Sequence, residues 1–260
     1  MISTSRGIIM SDAETSKTAI VVGASSGFGR ETALALSDDG WRVAAIARSA
    51  EGLQTLVDEA AGEVISIVGD ARDGDLAKAT LAAHDPTAVI IGGGVPPHMA
   101  PLHEQTWETL SMHWESDVAI AFNWLSNTLR HAPPSLDRVV VISSGAALSG
   151  SPGSGGYAGA KATTRWLTTA SASQSAQMQG LAITFTAVMP QLTHDTAVGR
   201  AGIGGYAAMG GGSSEEALEA PVPYSAAHGG REIAALVNTA TSGKSSTHVL
   251  GPAGLSQVDG

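Results

Sequence analysis

Tyr157 and Lys161 stand four residues apart in the run Tyr157-Ala158-Gly159-Ala160-Lys161. On a helix that spacing puts both side chains on one face, so a phenol and an ammonium can act on one ligand. A free phenol titrates at about pH 10, too high for a ready base at neutral pH. A neighbouring cation favours the phenolate and brings it nearer the working range of an acid–base catalyst. Ser144 precedes the tyrosine at the end of Val139-Val140-Val141-Ile142-Ser143. Its hydroxyl can donate to a substrate oxygen on which charge grows. Ser143 is the competing hydroxyl. Together these groups describe proton handling at an oxygen.

A second cluster suits a phosphate. Gly23-Ala24-Ser25-Ser26-Gly27-Phe28-Gly29 follows an apolar run and opens an amphipathic one. Glycines there let the backbone come close to a diphosphate, and the helix that follows offers it unpaired N–H groups and the positive end of its dipole. Placed between the first strand and first helix of a βαβ unit, the pattern reads as a nucleotide site.

The elements that must position these residues alternate along the chain. Strands are expected at Thr18–Gly23, Trp41–Ala47, Val64–Gly69, Thr87–Ile91, Arg138–Ile142, Leu181–Val188 and Thr247–Leu250. Helices are expected at Gly27–Asp39, Gly52–Ala61, Asp73–His84, Gly156–Gln179 and Arg231–Thr241, with one long helical region from Glu104 to Leu129. That alternation predicts an α/β fold: one Rossmann-like, doubly wound parallel sheet of about seven strands with helices on both faces. Such a sheet binds its ligand at the carboxyl ends of the strands. Residues 1–17 read as a loose extension, with Met10 a candidate second start, residues 18–252 as the domain, and residues 253–260 as a tail. The glycine-rich stretch from Pro190 to His228 is too long for an ordinary connection and reads as a lid or substrate loop.

Composition narrows the classes. Of 260 residues, 43% are hydrophobic and 15% charged, the balance of a compact globular chain, and the net charge of −10 with no basic run argues against nucleic-acid binding. The absence of cysteine excludes disulfides, thiolate metal sites and cysteine nucleophiles. No apolar run is long enough for a membrane span, and the N-terminus lacks the apolar core of a signal peptide, so a cytoplasmic location is expected. The eight histidines form no compact metal-ligand pair. His98, His103 and His113 read as solvated loop and helix residues, one of which could touch substrate. Trp107, Trp114, Trp124 and Trp166 read as packing or subunit-contact residues.

Tyr157 to Lys161, Ser144 and the turn from Gly23 to Gly29 together resemble the short-chain dehydrogenase/reductase family, in that family's order of elements from Thr18 to Leu250. Val22 stands where the family's turn usually begins with threonine. The resemblance implies that Ser144, Tyr157 and Lys161 are catalytic, with Ser144 favoured over Ser143 by the family's spacing, and that Tyr157 and Lys161 also face the nicotinamide ribose. In nucleotide-binding α/β folds an acid closing strand two holds the ribose hydroxyls. Here that strand ends in Ala47-Arg48-Ser49, and an arginine suits a 2′-phosphate, so NADP(H) is favoured and NAD(H) remains possible.

By the same resemblance Asp70 and Ala71 lie beside the adenine ring. Ile91-Gly92-Gly93-Gly94 falls where the family usually reads Asn-Asn-Ala-Gly, so both asparagines are lost while Gly92 and Gly93 keep room for the backbone beside the cofactor. Pro190 and Thr193 lie near the nicotinamide amide. The family's catalytic asparagine aligns with Asp117, with Asn123 a rival almost two helical turns on. The implied activity is an NADP-dependent oxidoreductase of small carbonyls or alcohols, in a homotetramer or dimer. A cofactor-binding sensor without turnover is the alternative, and a lyase or isomerase on the same fold a third.

Overall fold

The computed structural model describes residues 17–178, 180–240 and 245–258. The proposed N-terminal extension and its Met10, the expected helix ends at Gln179 and Thr241, and the last two residues of the tail lie outside them. The strands are β1 (Thr18–Val22), β2 (Arg42–Ala47), β3 (Val64–Val68), β4 (Ala88–Ile91), β5 (Arg138–Ile142), β6 (Thr184–Pro190), β7 (Ser246–Gly251) and β8 (Gly254–Val258). They form one sheet in the order β3-β2-β1-β4-β5-β6-β7-β8, parallel throughout except for the antiparallel pair β7–β8. The eighth strand corrects the expected count of about seven. It also corrects the reading of residues 253–260 as a tail, since Gly254–Val258 turns back at Pro252-Ala253 and pairs along the free edge of β7. Leu255 N–H is held by Glu232 Oε2 at 3.1 Å.

The central strands β1, β4, β5 and β6 are buried along their whole length, which is why they read as unbroken apolar runs. The helices on the two faces are α1 (Gly27–Asp38), α2 (Ala50–Glu59), α3 (Gly74–His84), α4 (Trp107–His113), α5 (Ala119–His131), α6 (Ala146–Ser149), α7 (Tyr157–Ser175), α8 (Ala197–Met209), α9 (Ser214–Glu219) and α10 (Ala226–Asn238). One core cluster packs around Val21, Leu36, Leu53 and Ile233, and the other around Ile20, Leu81, Trp124 and Phe185. Each such side chain contributes about 1.5–3 kcal/mol by leaving water.

Two expectations about helices change. The region from Glu104 to Leu129 is not continuous: a 3₁₀ turn (Leu102–Glu104) precedes α4, and a π-helical turn (Trp114–Val118) joins α4 to α5. The stretch from Pro190 to His228 is largely helical, holding α8, α9 and the start of α10. Each is entered through a hydroxyl cap, with Thr196 Oγ1 accepting from Gly199 N–H, Ser213 Oγ from Glu216 N–H and Ser225 Oγ from His228 N–H. Its many glycines masked that helical character. No helix among the described residues is long and apolar enough to cross a membrane.

Strand order reverses between β1 and β4, so their carboxyl ends diverge and open a crevice. The turn after β1 and Gly92 to Gly94 after β4 line it.

Candidate active site

The glycine turn is fixed to the sheet by Gly23 and Ala24, whose N–H groups both donate to Ile46 O, at 2.9 and 3.1 Å. Gly23 has φ +77°, and a Cβ there would stand 2.7 Å from Gly93 N, so a side chain would wedge the two loops apart. Ser26 caps α1 in extended conformation without a side-chain hydrogen bond, and the first turn of α1 holds no acid. Ser26, Gly27, Phe28 and Gly29 border the crevice, whereas Ser25 packs against Gly52 behind it. An uncapped helix start beside a close-packed glycine turn fits the diphosphate of a nicotinamide nucleotide.

Arg48, Asp70 and Ala71 lie beyond that crevice and do not line it. Arg48 is exposed at the end of β2. Asp70 is gripped by Arg72, whose Nε lies 3.0 Å from each carboxylate oxygen and whose Nη2 lies 2.6 Å from Oδ2. Those bonds, with the charge of Arg48 as a smaller contribution, bring the Asp70 carboxyl down to about 2. Ala71 is buried and its carbonyl accepts from Trp124 Nε1 at 3.0 Å, which makes Trp124 a packing residue of the core. Arg72 was not anticipated. Its signal was only an arginine two residues past an aspartate.

The whole cavity, crevice included, encloses about 590 Å³, and Tyr157, Lys161 and Ser144 come together in its wall. Tyr157 and Lys161 begin α7 and are nearly buried, with the ammonium 5.6 Å from the phenol ring centre. Ser144 Oγ accepts from Ala146 N–H at 3.2 Å, which leaves its proton able to donate into the cavity. Ser143 faces inward instead. Its Oγ donates to Lys161 O at 2.7 Å and meets Thr164 Oγ1 at 3.2 Å, so it holds α7 against β5.

Asp117 lies within the π-helical turn, 2% exposed, with Oδ1 2.9 Å from Lys161 Nζ. Its Oδ2 accepts from Ser116 Oγ at 2.7 Å and from Val95 N–H at 3.4 Å. Burial alone would raise this carboxyl, but the charge of Lys161, with hydrogen bonding from its neighbours, holds it well below the ordinary range. Burial pushes Lys161 down, and the charges of Asp117 and then Tyr157 outweigh it, so the ammonium is raised. Asn123, the rival, points elsewhere: its Nδ2 donates to Arg72 O at 2.5 Å. Gly94, at φ +150°, leaves the room Asp117 fills, since a Cβ there would stand 2.4 Å from Oδ1.

His113 departs from its reading as a solvated residue. It is fully buried, its ring meets Tyr157 edge-on at 5.2 Å, and its Nδ1 lies 3.6 Å from Asp117 Oδ2. Neither ring nitrogen has a hydrogen-bond partner among the described residues. The four-residue spacing from Asp117 was the available signal. His98 and His103 are exposed. Trp114 seats its ring over Gly156 and Gly159 at the start of α7, while Trp107 and Trp166 are mainly solvent-facing.

The far wall comes from the stretch after β6. Pro190 and Thr193 border the cavity, but Thr193 Oγ1 donates to Tyr224 O at 2.7 Å, which commits its proton within the protein. Three segments meet around the mouth: Ala100 N–H donates to Gly153 O at 2.8 Å, Tyr206 OH lies 2.5 Å from Ser151 Oγ, and Met99 packs against Gly205. No group of three or more His, Asp or Glu among the described residues could hold a metal ion.

The profile of the short chain dehydrogenase family matches residues 17–202. The chain belongs to the short-chain dehydrogenase family. A serine 3-dehydrogenase from Agrobacterium fabrum (strain C58) is 31% identical over 159 residues, covering 58% of this chain and 62% of that relative, less than two thirds of its length. Among solved structures, an alcohol dehydrogenase from the archaeon Thermococcus sibiricus complexed with 5-hydroxy-NADP is similar at TM-score 0.71 and 20% identity, over 91% of this chain and 96% of that one. An actinorhodin polyketide ketoreductase with NADPH is similar at TM-score 0.71 and 23% identity, over 89% and 95%. At these identities the likeness to the two structures is one of fold. The short-chain dehydrogenase fold accounts for the parallel sheet and for α7 packing against β6 and β5.

Proposed function

We propose that this short-chain dehydrogenase transfers a hydride between NADP(H) and a small carbonyl or alcohol, with Tyr157 as general acid and base. The observation that carries the reading is the sealed row Asp117–Lys161–Tyr157 opening on one cavity beside Ser144. The nucleotide, when bound, supplies or accepts the hydride at its nicotinamide ring. Gly23, Ser26, Gly27, Phe28 and Gly29 would hold its diphosphate, Arg48 its 2′-phosphate, and Asp70 and Ala71 its adenine, with Ser25 behind the turn rather than against the nucleotide. Gly92, Gly93, Pro190 and Thr193 would border the nicotinamide half, with Lys161 and Tyr157 at the ribose.

In the reducing direction the Tyr157 Oη proton passes to the carbonyl oxygen, and the Ser144 hydroxyl donates to the same oxygen as its charge grows. Lys161 stays cationic and favours the phenolate that remains. Asp117 holds Lys161 in place. In the oxidising direction the phenolate takes the alcohol proton. Exposed Phe122 on α5 and Trp166 on α7 support the homo-oligomer that the family resemblance implies, and a cytoplasmic setting agrees with the composition.

Fluorescence titration with NADPH and NADH, followed by a carbonyl screen with wild type and Tyr157→Phe, tests the reading. NADPH should bind more tightly, and turnover should fall at least about a hundredfold in the variant. Equal turnover in both proteins would remove Tyr157 from the mechanism. Binding without turnover on any carbonyl would leave a cofactor-binding sensor.

A further inference from the structure

Charge is distributed very unevenly between the two ends of the crevice. Lys161 is the one charged side chain lining the cavity among the described residues, and its charge is already matched by Asp117 at 2.9 Å. The substrate end is walled by Pro96, Pro97, Met99, Leu148, Leu192 and Val198. The hydroxyls at that end are neutral and mostly engaged: Tyr206 and Ser151 bond each other at 2.5 Å, and Ser149 Oγ lies within reach of backbone carbonyls. Two ionisable groups from the same wall are engaged elsewhere, Arg200 donating to His194 O and His194 set against Asp195 and Ala220 O, and neither lines the cavity.

From this wall we infer that the substrate carries no charge: it is an apolar ketone, keto ester or secondary alcohol, and not an amino acid or a hydroxy acid. The inference rests on the hydride-transfer reading above and deepens it. A carboxylate entering this space would lose water and gain neither a cation nor charge-assisted donors. An ammonium would find no free carboxylate. Serine, the substrate in the name of the Agrobacterium relative, carries both groups, so the two proteins differ in what their cavities accept. An uncharged carbonyl meets what is present: two donors at its oxygen, from Tyr157 and Ser144, and an apolar surface for the rest.

Matched pairs that differ only in charge provide the test: methyl pyruvate with pyruvate, methyl acetoacetate with acetoacetate, and methyl benzoylformate with benzoylformate. Each is titrated calorimetrically into Tyr157→Phe, with and without NADPH, so that binding is read apart from turnover. At least one ester should bind at least about tenfold more tightly than its acid, the cost of an unpaired buried charge. Leu148→Arg, which adds a cation at the rim, should strengthen the matching acid by a similar factor. Acids binding as tightly as their esters, no ester binding at all, or no gain in Leu148→Arg would each overturn the inference. Failure of the hydride-transfer reading has a different signature: esters bind but wild type with NADPH does not reduce them.

Discussion

The Asp117 carboxylate and the Lys161 ammonium meet at 2.9 Å with both side chains withdrawn from water. A buried pair of this kind is a weak source of stability, because desolvation offsets most of the attraction. Its value here lies in what each partner does to the other. The carboxylate keeps Lys161 charged inside the protein, beside the Tyr157 ring. An asparagine at the same place could bond the ammonium but could not balance its charge.

Asp117→Asn should therefore lower stability by about 3 kcal/mol at pH 7, the scale for removing one partner of a buried pair. Turnover should fall at least about tenfold. Urea unfolding against pH checks the first part. Because the carboxyl is held below its ordinary value in the folded protein, its contribution is present above the usual carboxylate range and is lost as pH falls through and below it. Wild type and Asp117→Asn should converge in stability toward low pH. Parallel curves would place the effect elsewhere.

His113→Leu should reduce kcat about tenfold while leaving the NADPH KM unchanged, because His113 touches Asp117 and Tyr157 but does not line the cavity. His113→Gln, whose amide can reach toward Asp117, should recover part of that loss. Thermal melts of both variants separate this from a packing defect: a leucine that melts with wild type yet turns over slowly assigns His113 to positioning Asp117.

The neighbouring serines should behave as opposites. Ser144→Ala removes the donor proposed for the substrate oxygen and should cost about a hundredfold in kcat with little change in Tm. Ser143→Ala removes the bond to Lys161 O, which keeps Thr164 Oγ1 as a donor at 2.9 Å, so it should cost about 1 kcal/mol of stability. Steady-state kinetics beside thermal unfolding distinguish the two.

Arg48→Ala should raise the NADPH KM at least about tenfold and leave the NADH KM nearly unchanged, the loss of one charge-assisted hydrogen bond to phosphate. Equal effects on both nucleotides would mean that Arg48 does not face the 2′-phosphate. Arg72, already bound to Asp70 through three contacts, should have the smaller effect on that ratio.

Local patterns carried much of this site. The turn from Gly23 to Gly29 was legible because its job is set by backbone geometry next to a strand. Tyr157 and Lys161 were legible because their spacing is helical. His113 was not, since its burial depends on how α4 meets α7. β8 was not, because Gly254–Val258 becomes a strand only against the open edge of β7. The helices within 190–228 were hidden behind glycines that pack closely, such as Gly199 over Thr193 O. Asp117 was placed by likeness to a family pattern, and the π-helical turn that carries it was announced by nothing in the sequence.

That turn has a consequence for the register of the whole helical rod. A π turn accommodates one residue more than an α turn, so α5 leaves it rotated in phase from where a straight continuation of α4 would have carried it. His113, just before the turn, and Asp117, within it, meet across that offset, with His113 Nδ1 3.6 Å from Asp117 Oδ2. Removing one residue between Trp114 and Ser116 would let the rod relax to a regular helix and change the spacing of His113 and Asp117 from four residues to three, and with it the contact between them.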